Sequence, residues 1–113
     1  MAKIKLWYLH CYQSEESAKL PIQPGDELEL SIEADGEHST MRRNRMWSGR
    51  RWDLDVILEF QTQVEISLRD LDNPRVGDEH DELGKFTISP GMTEGAFTFD
   101  GHGTAYELRW GPS

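Results

Sequence analysis

Val64, Ile66 and Leu68 alternate with Glu65, Ser67 and Arg69, the two-residue period of a strand with one buried face. Phe86 and Ile88 alternate with Lys85, Thr87 and Ser89 in the same way. Between the two runs lie Asp70, Asp72, Asp78, Glu79, Asp81 and Glu82, with Arg75 among them. Pro74 and Gly77 keep either strand from running on. The stretch reads as strand, acidic loop, strand, and commits this part of the chain to a sheet. The acids also set a physical problem. Two carboxylates in contact repel by about 1 kcal/mol even in water-like dielectric. A hard divalent cation removes that penalty. Calcium takes six to eight oxygen ligands from flexible loops, whereas magnesium demands tighter octahedral geometry and keeps its waters.

The rest of the chain repeats the sheet signal. Residues 3–12 are rich in β-formers, with Ile4, Leu6 and Tyr8 on one face and Trp7, Leu9 and Cys11 on the other. Leu28, Leu30, Ile32 and Ala34 alternate with Glu27, Glu29, Ser31 and Glu33, giving a core face and an acidic face. Asp35-Gly36 and Pro90-Gly91 are turn pairs. A strand over about 40–47, a turn at Ser48-Gly49 and a strand from Asp53 to Phe60 follow, the last with Leu54, Val56, Leu58 and Phe60 inward. Ala96 to Phe99 and Ala105 to Trp110 close the chain around the turn Asp100-Gly101-His102-Gly103, with Tyr106, Leu108 and Trp110 inward. No stretch sustains helical periodicity. About eight strands at this spacing predict an all-β fold, a single antiparallel β-sandwich spanning 1–113.

The acidic loop resembles a known pattern. Asp70-Leu71-Asp72, an interval, then Asp81-Glu82-Leu83-Gly84 and a strand are similar to the third calcium-binding loop of C2 domains, which reads Asp-x-Asp, an interval, Asp-x-x-Gly, strand. The interval here is longer. Asp78 keeps the family's spacing from Asp72, and Asp81 keeps its spacing to Gly84, so either can be the third ligand. C2 domains also use an aspartate just before their second strand, and Asp26 stands in that place. The second ligand of that loop has no clean match, with Glu15 and Glu16 the nearest substitutes. The resemblance implies a C2-like, non-enzymatic module. It would bind one calcium ion through Asp26, Asp70, Asp72, Asp78 and Asp81, and dock to anionic phospholipid or a partner protein.

Composition narrows the alternatives. The net charge of -9 disfavours nucleic acid. Yet Arg42, Arg43, Arg45, Arg50 and Arg51, five of the twelve basic residues, fall together beside Trp47 and Trp52. Alternation would point Arg43 and Arg45 together, away from Arg42 and Met46. Such a group suits an anionic lipid surface or partner. It equally suits internal pairing with Glu27, Glu29, Glu33, Asp53 and Asp55 across the sheet. Asp53 and Asp55 share a strand face, which reads as solvated, near Arg42 or Arg51. The single Cys11 excludes an internal disulfide, and no zinc spacing, GxSxG, HExxH, P-loop or EF-hand pattern occurs. The four histidines, His80 in the acidic loop among them, fall at no ligand spacing. No apolar run is long enough to span a bilayer and none makes a signal-peptide core. A complete chain would therefore be cytoplasmic, although a module of a secreted protein would read the same. Two other function classes remain. One is a structural or interaction sandwich, favoured because the acidic loop offers only Val76 and Leu83 for membrane insertion. The other is a carbohydrate-binding sandwich built on Trp7, Trp47, Trp52 and Trp110.

Overall fold

Alternating apolar residues can be buried only if two sheets face each other, and that is the arrangement found. The computed structural model describes residues 1–14, 25–71 and 81–113. Its strands are β1 (Ala2–Gln13), β2 (Asp26–Ala34), β3 (Glu37–Met46), β4 (Arg51–Phe60), β5 (Val64–Asp70), β6 (Asp81–Ile88), β7 (Gly95–Phe99) and β8 (Ala105–Pro112). They form two antiparallel four-stranded sheets, ordered β4-β1-β8-β7 and β3-β2-β5-β6. The one helical element among the described residues is a short 3-10 turn, Gly101–Gly103. No helix there is long and apolar enough to cross a membrane.

The core joins the inward faces. Leu28, Leu30 and Ile32 of β2 and Val64, Ile66 and Leu68 of β5 meet Trp52, Leu54 and Phe60 of β4 and Tyr106, Leu108 and Trp110 of β8. Each side chain of this kind, fully buried, contributes about 1.5–3 kcal/mol. Val56 and Leu58 are only partly covered. The turns match their sequences. Asp35 and Gly36 both have positive φ (50° and 87°), the conformation of a two-residue hairpin that follows the sheet twist. The Asp35 carboxylate also accepts the backbone N–H groups of Gln61, Thr62 and Gln63, tying the β2–β3 turn to the β4–β5 turn.

Several irregularities depart from simple alternation, among them a second register shift in β1 between Cys11 and Gln13. In β1, two residues, Trp7 and Tyr8, stand where β8 supplies one, Arg109. Ile4, Leu6, Leu9 and Cys11 are consequently all buried, and Trp7 does not share a face with Leu9 and Cys11. In β3, an extra residue lies between Arg43, which pairs with Leu28, and Met46, which pairs with Asp26. Arg45 takes φ 60° at this step. Arg43 and Met46 thus oppose inward positions, and the expected common face of Arg43 and Arg45 does not form. In β6, Leu83 is 1% exposed. It belongs to the core and is not available for membrane insertion, because β6 begins at Asp81 and its second inward position is Leu83.

Gly84 sits at the β5–β6 irregularity with φ 156°. A Cβ there would lie 2.9 Å from Cδ1 of Phe99 and 3.4 Å from its Cα. The glycine of the Asp-x-x-Gly run is therefore needed for packing as well as for its backbone angle. Gly84→Ala is expected to lower the unfolding free energy by about 1–3 kcal/mol. Urea denaturation monitored by tryptophan fluorescence measures it.

Candidate functional site at one end of the sandwich

The ends of β1, β3, β5 and β7 and the starts of β2, β4, β6 and β8 lie together at one end of the sandwich. There the inward positions change from apolar to acidic. Asp26 precedes Leu28 in the inward row of β2 and is 1% exposed. Asp70 follows Leu68 in the inward row of β5 and is also buried. Asp81 precedes Leu83 in β6 and is half-buried.

Register explains their proximity. Leu28 pairs with Asp70, and Asp70 pairs with Asp81. The Glu27 N–H donates to Oδ1 of Asp70 at 3.2 Å, and the Leu71 N–H donates to the Glu27 carbonyl at 2.7 Å. These bonds clip the start of β2 to the end of β5. The Tyr106 hydroxyl of β8 donates to Oδ2 of Asp26, so this carboxylate joins the two sheets. The Cys11 thiol completes the cluster through its contact with Tyr106. Burial, opposed by the Tyr106 hydrogen bond and reinforced by the Asp26 carboxylate, pushes the thiol up to about 11. It stays protonated at neutral pH and is no nucleophile. Burial, then the Asp26 carboxylate, also raises the Tyr106 phenol far above its ordinary range.

Beside this cluster the Gly101–Gly103 turn packs on β6, and Thr104 closes it with N–H and hydroxyl bonds to the Gly101 carbonyl. The turn brings Nε2 of His102 to 3.9 Å from Oδ1 of Asp81. His102 and Tyr106 were not singled out from the sequence. A signal existed for Tyr106: a tyrosine on an inward position needs a partner for its hydroxyl.

Of the expected ligands, then, Asp26, Asp70 and Asp81 share this end, while Asp72 and Asp78 lie outside the described residues. Glu15, Glu16, Val76 and His80 also lie outside them. Among the described residues, no three Asp, Glu, His or Cys side chains gather into a metal-binding group. The donors present are hard carboxylate oxygens, which fit calcium in kind.

The solved C2A domain of a plant extended synaptotagmin 1 is similar in structure. The match has a TM-score of 0.53 at 11% identity and covers 98% of this chain and 93% of that one. The fold is C2-like. No protein-family model and no curated protein matches the sequence.

Within the C2-like frame the arginines separate into distinct environments. Arg42 bonds Oε2 of Glu29 at 3.1–3.2 Å, and Arg69 bonds Oε1 of the same carboxylate. Glu29 lies on the outward face of β2, yet is only 4% exposed, because it is held between arginines of both neighbouring strands. Arg50 stacks 4.0 Å over the Trp47 ring and donates to the Arg45 carbonyl. Arg51 stacks 4.0 Å over Tyr8. Arg43 and Arg45 are exposed. Among the described residues, these last four form no ion pair with an acid. Asp53 and Asp55 are exposed as expected, but Asp55 pairs with Lys5 at 3.5 Å and not with an arginine.

Two outcomes follow. Tyr106→Phe removes a donor to a buried carboxylate, and should cost about 1–3 kcal/mol in chemical denaturation. For Glu29, the Arg69 hydrogen bond, then Coulombic attraction and Arg42, hold the carboxyl below its ordinary 4.5 against the cost of burial. A depressed native value adds stability above pH 4.5 that is lost as pH falls through the native value. Glu29→Gln should therefore flatten the acid limb of a melting-temperature profile below pH 4.5.

Proposed function

We propose that this domain is a non-enzymatic docking module whose acidic end binds calcium through Asp26, Asp70, Asp72, Asp78 and Asp81. The observation that carries the reading is the pair of buried carboxylates, Asp26 and Asp70, on adjacent strands where the Asp70-Leu71-Asp72 loop departs. Asp81, directly opposite Asp70 in the ladder, adds a like charge where cross-strand like charges destabilise. Calcium would supply compensating charge and shift a strongly repulsive end toward neutral. That change would let the end approach an anionic phospholipid surface or an acidic partner. Arg43, Arg45 and Arg50 would assist, each contributing about 1 kcal/mol near such a surface, while Arg51, stacked on Tyr8 on the balanced face of the other sheet, would contribute less. Arg42 is committed to Glu29 and would contribute less.

The Tyr106–Asp26 hydrogen bond between the sheets favours a second reading, a structural or interaction domain in which Asp26 is purely a tie. Thermal melts in EDTA, in millimolar calcium and in millimolar magnesium separate the two. Calcium at about a hundred times its dissociation constant adds about 2.7 kcal/mol, a rise of several degrees or more for a domain of this size. The expected result is a rise with calcium, little change with magnesium, and loss of the rise in Asp70→Asn. Identical melts in all three conditions would leave the structural reading. Pelleting with phosphatidylserine vesicles should then depend on calcium in wild type and not in Asp70→Asn.

A further inference from the structure

The outer face of the β4-β1-β8-β7 sheet displays aromatic side chains that neither the core nor the acidic end uses. The extra residue in β1 turns Trp7 outward beside Tyr8. Trp7 is 39% exposed and Tyr12 58% exposed, with Ile57 of β4 exposed nearby. Trp7 does not project freely. A Cβ at position 111 would lie 2.2 Å from its Cζ2 and 2.7 Å from its Cη2. The six-membered half of the indole thus occupies the space a side chain at 111 would fill, lying over Gly111 of β8. Glycine at 111 is what admits it.

Tyr8, His10 and Tyr12 continue the row along β1 at alternate positions. At the rise of a strand this row runs about 13 Å from Tyr8 to Tyr12. Arg51 covers the Tyr8 ring, and His10 meets Tyr12 edge-on at 4.5 Å. The Nδ1 of His10 is buried with no hydrogen-bond partner among the described residues, a polar atom that calls for a donor or acceptor.

Charge decides what such a face can receive. Lys3, Lys5, Arg51 and Arg109 stand on it against Asp53, Asp55, Glu59 and Glu107. Lys3 pairs with Glu59 at 3.8 Å, Lys5 with Asp55 at 3.5 Å and Arg109 with Glu107 at 3.1 Å. In a chain of net charge -9 this face is balanced. An anionic surface gains no net attraction from it. A dry apolar partner would have to strip water from the ion pairs, a cost their mutual attraction often fails to offset. A neutral polyhydroxyl ligand faces neither obstacle. Its C–H faces can stack on exposed rings, and its hydroxyls can bond the flanking charged groups.

We propose that this sheet face binds a neutral oligosaccharide chain, with Trp7 and Tyr12 as stacking platforms and Arg51, Glu107 and Arg109 bonding its hydroxyls. The length of the row suits several linked sugar rings better than one.

The test is affinity electrophoresis in gels containing soluble mixed-linkage β-glucan, xylan or galactomannan, with pull-down on insoluble cellulose and chitin. EDTA is present throughout, so the outcome is independent of the calcium reading. Retardation or retention by at least one polysaccharide is expected, weakened tenfold or more in Trp7→Ala and several-fold in Tyr12→Ala. Circular dichroism and melting establish that each variant is folded. Tyr12 is exposed, so its variant serves even if Trp7→Ala fails to fold. No retention by any of the five polysaccharides would overturn the proposal, as would retention indifferent to both substitutions. A wild-type dimer in sedimentation that Trp7→Ala converts to monomer would also overturn it, assigning the face to a second copy of the chain.

Discussion

Three strands exchange an apolar inward residue for a carboxylate at one end of the sandwich: Leu28 gives way to Asp26, Leu68 to Asp70 and Leu83 to Asp81, with Asp26 one inward step beyond the Asp70–Asp81 pair. That boundary governs one end of the molecule. A carboxylate taken out of water must find donors. Asp26 obtains one from the opposite sheet, the Tyr106 hydroxyl, and Asp70 obtains one from the next strand, the Glu27 N–H. The first joins β2 to β8 across the core. The second extends the β2–β5 ladder to the point where the acidic loop begins. The positions of Cys11, Tyr106 and the start of β2 are therefore set by a need for hydrogen bonds as much as by apolar packing.

How much of this was legible depended on whether a strand's faces are decided locally. In β2, β5 and β8 every inward residue followed from alternation, and the Asp35-Gly36 and Pro90-Gly91 turns followed from their residues. The C2-like resemblance of one loop pointed to the sandwich that the described strands form. What escaped were the bulges. Whether Trp7 faces the core depends on β8 offering one residue, Arg109, against two of β1. No pattern within β1 contains that count. The same holds for Arg45 against β2. Leu83 was misjudged for a related reason, since an acidic flank hides where a loop ends and a strand starts. The acidic end was legible in part: Asp26, Asp70 and Asp81 were named from the resemblance to C2 calcium loops, but their donors come from residues distant in sequence, as Tyr106 is from Asp26.

Charge follows the same rule of pairing across strands. Glu29 reads as one acid among several on a solvated face, yet Arg42 and Arg69 on its two neighbours enclose it. On the same face Lys85 holds Glu65 at 2.9 Å. Much of the outer charge of the β3-β2-β5-β6 sheet is thereby internally balanced. Exposed pairs such as Lys3–Glu59 contribute at most about 1 kcal/mol each, so their importance lies less in stability than in the local field they leave. Arginines outside such pairs collect where β3 turns into β4, and the nearest inward acid, Asp26, is one strand away, paired in the ladder with Met46 of β3.

The arginine stacking and the indole on Gly111 show a common principle at work on the other sheet. A long or large side chain left loose at a surface loses conformational entropy when a ligand orders it. Arg50 on Trp47, Arg51 on Tyr8 and Trp7 on the backbone of Gly111 have already given up much of that freedom in the folded chain. A ring already held in place binds at lower cost than one that must be immobilised on contact. The β1 bulge and the absence of a side chain at 111 act together here: the bulge turns Trp7 out of the core, and Gly111 leaves room for its indole against β8.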